Sequence, residues 1–194
     1  MRIVTRLSNR FEDALVYATR LHATQTRKGT DIPYVSHLLA VASLVIEAGG
    51  TEDEAIAALL HDGPEDQGGE KTLSTIRERF GPRVADIVAD CSDTFEEEKP
   101  PWSERKRAYL AHLASAPASV LLVSCADKLH NARAILADYR SVGEALWERF
   151  RGGKEGTLWY YRALVGSYAA AKEPPVLLDQ LERVVTELEA LASA

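Results

Sequence analysis

The stretch that most constrains this chain is an apolar run that ends in chemically active side chains. Residues 56–60 read Ile-Ala-Ala-Leu-Leu, the pattern of a buried helix, and His61 and Asp62 follow directly. A second polar pair, Glu65 and Asp66, comes four positions later. The 61/65 and 62/66 spacings would stack the two pairs on one face if the helix continued.

Pro64 interrupts this pattern, because proline lacks a backbone N–H and its ring clashes with the preceding turn. We therefore expect the helix to end by directing His61 and Asp62 into a cavity, with Glu65 and Asp66 on an irregular turn just beyond. Polar groups at the end of a buried run need a partner, either a metal ion or an opposite charge. The residues considered so far fit two interpretations, a metal site and an ion-paired helix end.

Two more polar side chains occupy apolar surroundings on other predicted helices. His37 lies in the first turn of a helix predicted over 36–48, where a helix-end hydrogen bond is an alternative to a metal. Asp127 follows an apolar run on a helix predicted over 117–139, where pairing with Arg or Lys is the alternative. Together the three helices supply two imidazoles and two carboxylates, which suit Mn²⁺, Fe²⁺, Zn²⁺ or Mg²⁺. The members of this set are His37, His61, Asp62 and Asp127.

Other side chains are placed to act on a substrate beside such an ion. Glu65 and Asp66 lie next to the ligand set but outside it, where they can orient or deprotonate a metal-bound water. Arg27 and Lys28 fall in a loop predicted over 25–33 from its Gly, Asp and Pro content. That basic pair fits either phosphate contacts or solvated surface.

The helix that carries Asp127 continues with further polar residues. Asn131 lies one turn after Asp127 on the same face, whereas Lys128 and His130 are predicted to point elsewhere. His22, near the end of the first predicted helix, is interpreted as a surface or packing residue.

A basic run on a helix predicted over 103–116 is interpreted as a solvated face rather than a phosphate patch. The residues of this run are Arg105, Lys106 and Arg107.

The chain as a whole predicts an all-α fold. Helical periodicity recurs between glycine and proline breaks, and no segment alternates with the period of a strand. Capping boxes are predicted at Asn9/Glu12 and Thr51/Glu54. We expect about nine or ten helices, and a length of 194 residues fits one domain over 1–194.

Composition limits the partners and the compartment. A net charge of −6 argues against nucleic acid or an anionic membrane, although a local basic patch or a metal still permits a polyanionic small molecule. Cys91 and Cys125 lie in apolar helical context and predict buried thiols, which favours a reducing compartment. Residues 1–6 lack the apolar core of a signal peptide, and the apolar run 38–46 is too short to span a bilayer. We therefore expect a cytoplasmic protein.

Five motifs follow one another between residues 10 and 140. They are Arg27-Lys28-Gly29-Thr30 with Pro33-Tyr34-Val35-Ser36-His37, Leu59-Leu60-His61-Asp62-x-x-Glu65-Asp66, Phe80-Gly81-Pro82, Ser103-Glu104-Arg105-Lys106 and Ala126-Asp127-Lys128-Leu129-His130-Asn131. In this order they resemble the HD-domain metal-dependent phosphohydrolases. The closer resemblance is to the hydrolase domain of the RelA/SpoT family and its small alarmone hydrolases of the Mesh1 type. Residues 67–71 and 156–161 depart from the family pattern.

The resemblance implies an HD-domain helical bundle that uses Mn²⁺ to remove pyrophosphate from the ribose 3′ position of guanosine tetra- and pentaphosphate. The implied metal ligands are His37, His61, Asp62 and Asp127. The implied water-activating carboxylates are Glu65 and Asp66, and the implied nucleotide contacts are Arg27, Lys28, Lys128 and Asn131. Four obvious ligands favour one metal ion over two.

Two other functions stay open on the same scaffold. One is hydrolysis of a different nucleotide, either an adenosine alarmone or the 2′-phosphate of NADPH. The other is a non-catalytic nucleotide-binding sensor, against which the presence of both Glu65 and Asp66 counts.

Overall fold

The computed structural model describes residues 6–92 and 100–193. Most of the N-terminal segment 1–6, which lacks the apolar core of a signal peptide, lies outside the described residues. Within the described ranges there are ten α-helices, one 3₁₀-helix and no strand. The helices are α1 Asn9–Leu21, α2 Val35–Glu47, α3 Glu52–Leu60, α4 Gly63–Asp66, α5 Gly69–Phe80, α6 Pro82–Cys91, α7 Trp102–Leu113, α8 Ala118–Val142, the 3₁₀-helix Gly143–Arg149, α9 Gly153–Ala170 and α10 Leu178–Ala192. The all-α prediction is confirmed.

Helix α3 lies at the centre of the packing. Every residue from Glu54 to Leu60 is buried, because α1, α2, α6 and α8 all pack against this helix. A helix that is apolar on all sides is stable only when it is surrounded in this way. The predicted apolar run therefore forms the core from which the site residues extend.

The start of α3 is fixed by the predicted capping box. The Thr51 side chain accepts from the Glu54 backbone N–H, and the Glu54 carboxylate accepts from the Thr51 backbone N–H at 2.6 Å. The second Glu54 oxygen accepts from the Ser119 hydroxyl at 2.6 Å, which ties α3 to the first turn of α8. The box predicted at Asn9 is wrong, because Ser8 is the N-cap of α1 and accepts from the Arg10 N–H.

Helix α8 is the longest element, with 25 residues. It packs against α2, α3, α6, α9 and α10, so it borders most of the core. Gly143, at φ 61°, ends it in a backbone conformation that favours glycine. The segment that follows, Gly143–Arg149, is the 3₁₀-helix.

No helix among the described residues is long and apolar enough to cross a membrane. Both Cys91 and Cys125 are buried and unbridged in this part of the chain, as predicted.

Candidate metal centre and its cavity

Two residues, His61 and Asp62, form the junction between α3 and α4. Helix α3 ends at Leu60, and a new short helix begins at Gly63 with Pro64 in its first turn. Proline is tolerated there because the first-turn N–H groups have no partner within the helix. The predicted break is therefore confirmed, and the turn expected beyond it is the short helix α4.

Four side chains from three places in the chain converge at this junction. The Nε2 atom of His37 lies 3.2 Å from Asp127 Oδ1 and 3.4 Å from Asp62 Oδ2. The Nε2 atom of His61 lies 3.0 Å from Asp62 Oδ2 and 3.6 Å from Asp127 Oδ1. Both imidazoles are buried, and neither Nε2 has a hydrogen-bond partner of acceptable geometry among the described residues. Two bare nitrogen atoms thus face two carboxylates.

The other nitrogen of each imidazole is hydrogen-bonded. His61 Nδ1 donates to the Ala58 carbonyl at 2.8 Å, so the neutral form of the ring carries its lone pair on Nε2. His37 Nδ1 lies 2.7 Å from His130 Nδ1. Burial is the main cause that lowers the pKa of His130 to about 4, so this ring is neutral. When His130 accepts from His37 Nδ1–H, the second imidazole also presents a bare Nε2.

The two carboxylates stay ionised despite their burial. Burial opposes the charge of Asp127, but the Lys128 ammonium and the imidazoles hold its pKa well below the usual range. Lys128 donates to Asp127 Oδ2 and Asn131 donates to Oδ1, each at 2.6 Å. The Tyr34 hydroxyl donates to Asp62 Oδ2, also at 2.6 Å. The centre therefore attracts positive charge.

A cavity of about 770 Å³ opens onto this centre and is lined by both kinds of charge. This volume is typical of small-molecule sites. Among the described residues its wall carries six cationic side chains, Arg27, Lys28, Arg105, Lys106, Lys128 and Arg151, and four acidic ones, Asp62, Glu65, Asp127 and Asp138. In a chain of net charge −6, this excess of cations marks a local anion-binding surface.

The predicted basic loop forms part of that wall. Arg27 donates to the Asn131 side-chain oxygen at 2.7 Å, and its guanidinium carbon lies 5.7 Å from the Tyr34 ring centroid. Lys28 Nζ lies 5.6 Å from the Phe150 ring centroid. Arg27, Lys28 and Asn131 thus line the same cavity.

The two predicted water-activating acids are placed differently. Glu65 lines the cavity, whereas Asp66 lies outside the lining as far as the described residues go. The Asp66 carboxylate accepts from the Gln25 side-chain N–H at 2.7 Å. Desolvation and the nearby Asp62 carboxylate raise the pKa of Asp66.

The sequence pattern of the HD-domain family matches residues 14–157. This range is well over half of the chain and includes all four members of the predicted ligand set. The chain belongs to the HD-domain family.

The chain is similar in sequence to two pyrophosphohydrolases. It is 37% identical over 124 residues to the Xenopus tropicalis guanosine-3′,5′-bis(diphosphate) 3′-pyrophosphohydrolase MESH1, covering 62% of this chain and 66% of MESH1. It is 36% identical over 123 residues to the Aquifex aeolicus guanosine-3′,5′-bis(diphosphate) 3′-pyrophosphohydrolase, covering 63% of this chain and 17% of that enzyme. The matches thus span less than two thirds of either relative.

The fold has a solved counterpart in a metazoan ortholog of SpoT described as hydrolysing ppGpp. The two structures superpose with a TM-score of 0.75 at 25% sequence identity, covering 94% of this chain and 97% of the ortholog. The predicted resemblance to the HD and RelA/SpoT families is confirmed.

An HD domain implies divalent-cation binding, and the described residues fit such an ion. One ligand atom each from His37, His61 and Asp127 lies within 4.8 Å of the other two, and Asp62 Oδ2 adjoins both imidazoles. Bare imidazole nitrogens and ionised carboxylates are the ligands that a borderline or hard divalent cation takes. The two unpartnered Nε2 atoms therefore have a chemical explanation.

The prediction that Lys128 and His130 point away from the site is wrong. Lys128 reaches back to the Asp127 carboxylate, and His130 contacts His37. The spacing of three residues between Asp127 and His130 already places them on neighbouring positions of one helix face. That spacing was the signal that could have found His130.

One other interpretation changes, that of the basic run, and the interpretation of His22 is confirmed. Arg105 and Lys106 line the cavity rather than forming a solvated face, although Arg107 is exposed. His22 is a packing residue: its buried ring stacks on Tyr34 at 5.2 Å between centroids.

Proposed function

We propose that this HD domain is a Mn²⁺-dependent hydrolase that removes pyrophosphate from the ribose 3′ position of guanosine tetraphosphate (ppGpp) and pentaphosphate, in the cytoplasm. The observation that carries the proposal is one cavity whose wall carries Asp62 and Asp127 of the centre together with six cationic side chains. Such a wall suits a substrate with several phosphates, and the activities of the two similar pyrophosphohydrolases support the same substrate.

In this proposal His37, His61, Asp62 and Asp127 hold the ion. The mixture of imidazole and carboxylate supports Mn²⁺, which accepts both and keeps positions for water. When bound, a divalent cation polarises a phosphoryl oxygen and lowers the pKa of water.

The acids beside the centre, Glu65 and Asp66, accept the proton and pass it on. The oxygen of water forms a bond to the phosphorus attached to the ribose O3′, and the P–O3′ bond breaks. Glu65, on the cavity wall, accepts the proton that water loses, and a proton ends on O3′ as the 3′-hydroxyl. Asp66 adjoins Glu65 and, with its raised pKa, is suited to take the proton onward. The products are pyrophosphate and GDP or GTP.

The cationic wall orients the substrate. Arg27 and Lys28 are proposed to bind phosphate oxygens, for which guanidinium offers paired donors. Asn131 shares a hydrogen bond with Arg27 and so fixes the position of its guanidinium. Lys128 also lines the cavity, with its ammonium on Asp127.

The test is hydrolysis by the purified, metal-free protein before and after Mn²⁺ is added. We expect equimolar GDP and pyrophosphate from ppGpp with Mn²⁺, and neither product when EDTA is present. Absence of both products in saturating Mn²⁺ overturns the proposal.

A substrate panel separates the alternatives. The adenosine analogue with the same phosphates and NADPH are assayed in parallel, with separate readouts of phosphate and pyrophosphate. Faster turnover of either one reassigns the substrate. Binding of ppGpp without any turnover assigns the domain as a nucleotide sensor.

A further inference from the structure

Lys128 lies between the metal centre and a buried aromatic ring. Its ammonium donates to Asp127 Oδ2 at 2.6 Å, and the same nitrogen lies 5.1 Å from the centroid of the Tyr109 ring. A cation in this position is attracted by the electrons of the ring face. The Lys128 side chain is 13% exposed, so this attraction acts in a partly desolvated place.

Tyr109 is itself held in place by a chain of buried hydroxyl groups. Its oxygen lies 2.5 Å from the Ser124 hydroxyl, which lies 2.5 Å from the Tyr168 hydroxyl. All three residues are buried, and they come from α7, α8 and α9. The hydroxyls satisfy one another, and the ring itself is buried, so packing as well as hydrogen bonding limits the orientation of Tyr109.

The Asp127 carboxylate uses its two oxygens differently. Oδ2 accepts from Lys128, whereas Oδ1 accepts from Asn131 and faces the bare Nε2 atoms of His37 and His61. If Lys128 moves away, Oδ2 loses this partner, and the Asn131 contact to Oδ1 alone restrains the carboxylate less tightly.

We propose that Tyr109 is a positioning residue of the metal centre, whose ring holds Lys128 against Asp127 so that Oδ1 stays directed at the ion. This inference rests on the proposed function, in which Asp127 is a metal ligand. It gives Lys128 a role in ion affinity rather than in direct phosphate binding. Partners that orient a metal ligand typically change metal affinity about 10- to 100-fold when they are removed.

The decisive experiment is calorimetric titration of Mn²⁺ into metal-free protein, with folding checked by circular dichroism. We expect Tyr109→Leu, which removes the ring face, to weaken Mn²⁺ binding about 10- to 100-fold. Tyr109→Phe keeps the ring and is expected to stay within about threefold of wild type. Tyr168→Phe, a matched control that removes a hydroxyl from the same chain, is expected to leave Mn²⁺ affinity unchanged.

Lys128→Met provides a second, independent measurement that does not depend on Tyr109→Leu folding. We expect Lys128→Met to weaken Mn²⁺ binding by a similar factor, and the double variant to be no weaker than Lys128→Met alone. Wild-type affinity in Lys128→Met, or in a folded Tyr109→Leu, overturns the proposal. The proposal is also overturned if the losses of Mn²⁺ affinity in Tyr109→Leu and Lys128→Met add fully in the double variant.

Kinetics distinguish this inference from the function on which it rests. At saturating Mn²⁺ we expect Lys128→Met to recover the wild-type KM for ppGpp, whereas a KM that stays raised assigns Lys128 to the substrate and overturns the positioning role. If wild type neither binds Mn²⁺ nor hydrolyses ppGpp, the proposed function has failed. If wild type does both while Tyr109→Leu keeps its Mn²⁺ affinity, only the present inference has failed.

Discussion

The rings of His37 and His130 meet through their Nδ1 atoms, 2.7 Å apart. Only one of two facing nitrogens can carry the hydrogen, and the lowered pKa of His130 keeps this ring neutral and able to accept. When His37 donates, it is the tautomer whose Nε2 lone pair faces Asp62 and Asp127. His130 thus controls a ligand although it is not one of the proposed four.

Replacing His130 by leucine removes this acceptor. We expect His130→Leu to weaken Mn²⁺ binding about 10- to 100-fold, because His37 Nδ1–H loses its partner and the ring loses its orientation. Calorimetric titration measures the change. The matched control is His112→Leu, at an exposed histidine that pairs with Asp90 rather than with the centre. Equal affinities in the two variants would contradict the role assigned to His130.

Removing the ion should lower the stability of the wild-type protein but not that of His61→Ala. An ion that binds only the folded state adds about 2.7 kcal/mol when its concentration is 100 times the Kd. We expect the wild-type melting temperature to rise with Mn²⁺ and to fall back with EDTA, and the melting temperature of His61→Ala to stay constant. Thermal unfolding at a series of Mn²⁺ concentrations provides the measurement. A variant that responds as strongly as wild type would exclude His61 as a ligand.

The two neighbouring acids should differ in their effect on turnover. Glu65 lines the cavity, whereas Asp66 is bound to Gln25. We expect Glu65→Gln to reduce kcat about 100- to 10,000-fold, the usual contribution of a proton acceptor, and Asp66→Asn to reduce it less. Both variants should keep Mn²⁺ binding, which calorimetry checks. A larger loss of kcat in Asp66→Asn than in Glu65→Gln would assign the role of first proton acceptor to Asp66.

Alanine substitution at Gly152 and at Gly166 should change the free energy of unfolding in opposite directions. A Cβ on Gly152 would lie 2.8 Å from Trp102 Cη2, so the indole that lines the cavity would have to move. Gly166, exposed within α9, has no atom within 4 Å of its would-be Cβ. We expect Gly152→Ala to lower the free energy of unfolding by about 1–3 kcal/mol and Gly166→Ala to raise it by about 0.5–1 kcal/mol.

Urea denaturation of both glycine variants measures these changes. A neutral Gly152→Ala would show that Trp102 has room to shift, and the close packing of α7 on α9 would then not constrain the cavity.

Local patterns were enough to predict the centre of the fold and much of the site. The apolar run before His61 predicts a buried helix because burial of α3 depends on its own side chains. Polar residues in apolar surroundings, such as Asp127, signal a compensating partner whatever the tertiary arrangement is. The Thr51/Glu54 capping box was predictable for the same reason, since all of its hydrogen bonds are local.

Features that depend on approach between distant elements were not predictable. The contact of His130 with His37 joins α8 to α2, and the contact of Trp102 with Gly152 joins α7 to the start of α9. Neither pair has a fixed sequence spacing that would reveal it. The different positions of the Glu65 and Asp66 side chains likewise depend on Gln25, 41 positions before Asp66.

Helix α8 runs without a break from the metal centre to the far end of the cavity wall, carrying Asp127, Asn131 and Asp138. The eleven residue-to-residue steps from Asp127 to Asp138 span about 16 Å of rigid helix. Their mutual distances are therefore set by helical geometry and do not vary as a ligand enters. Any change in the width of the cavity therefore has to come from its other walls, such as the loop 25–34 that carries Arg27 and Lys28.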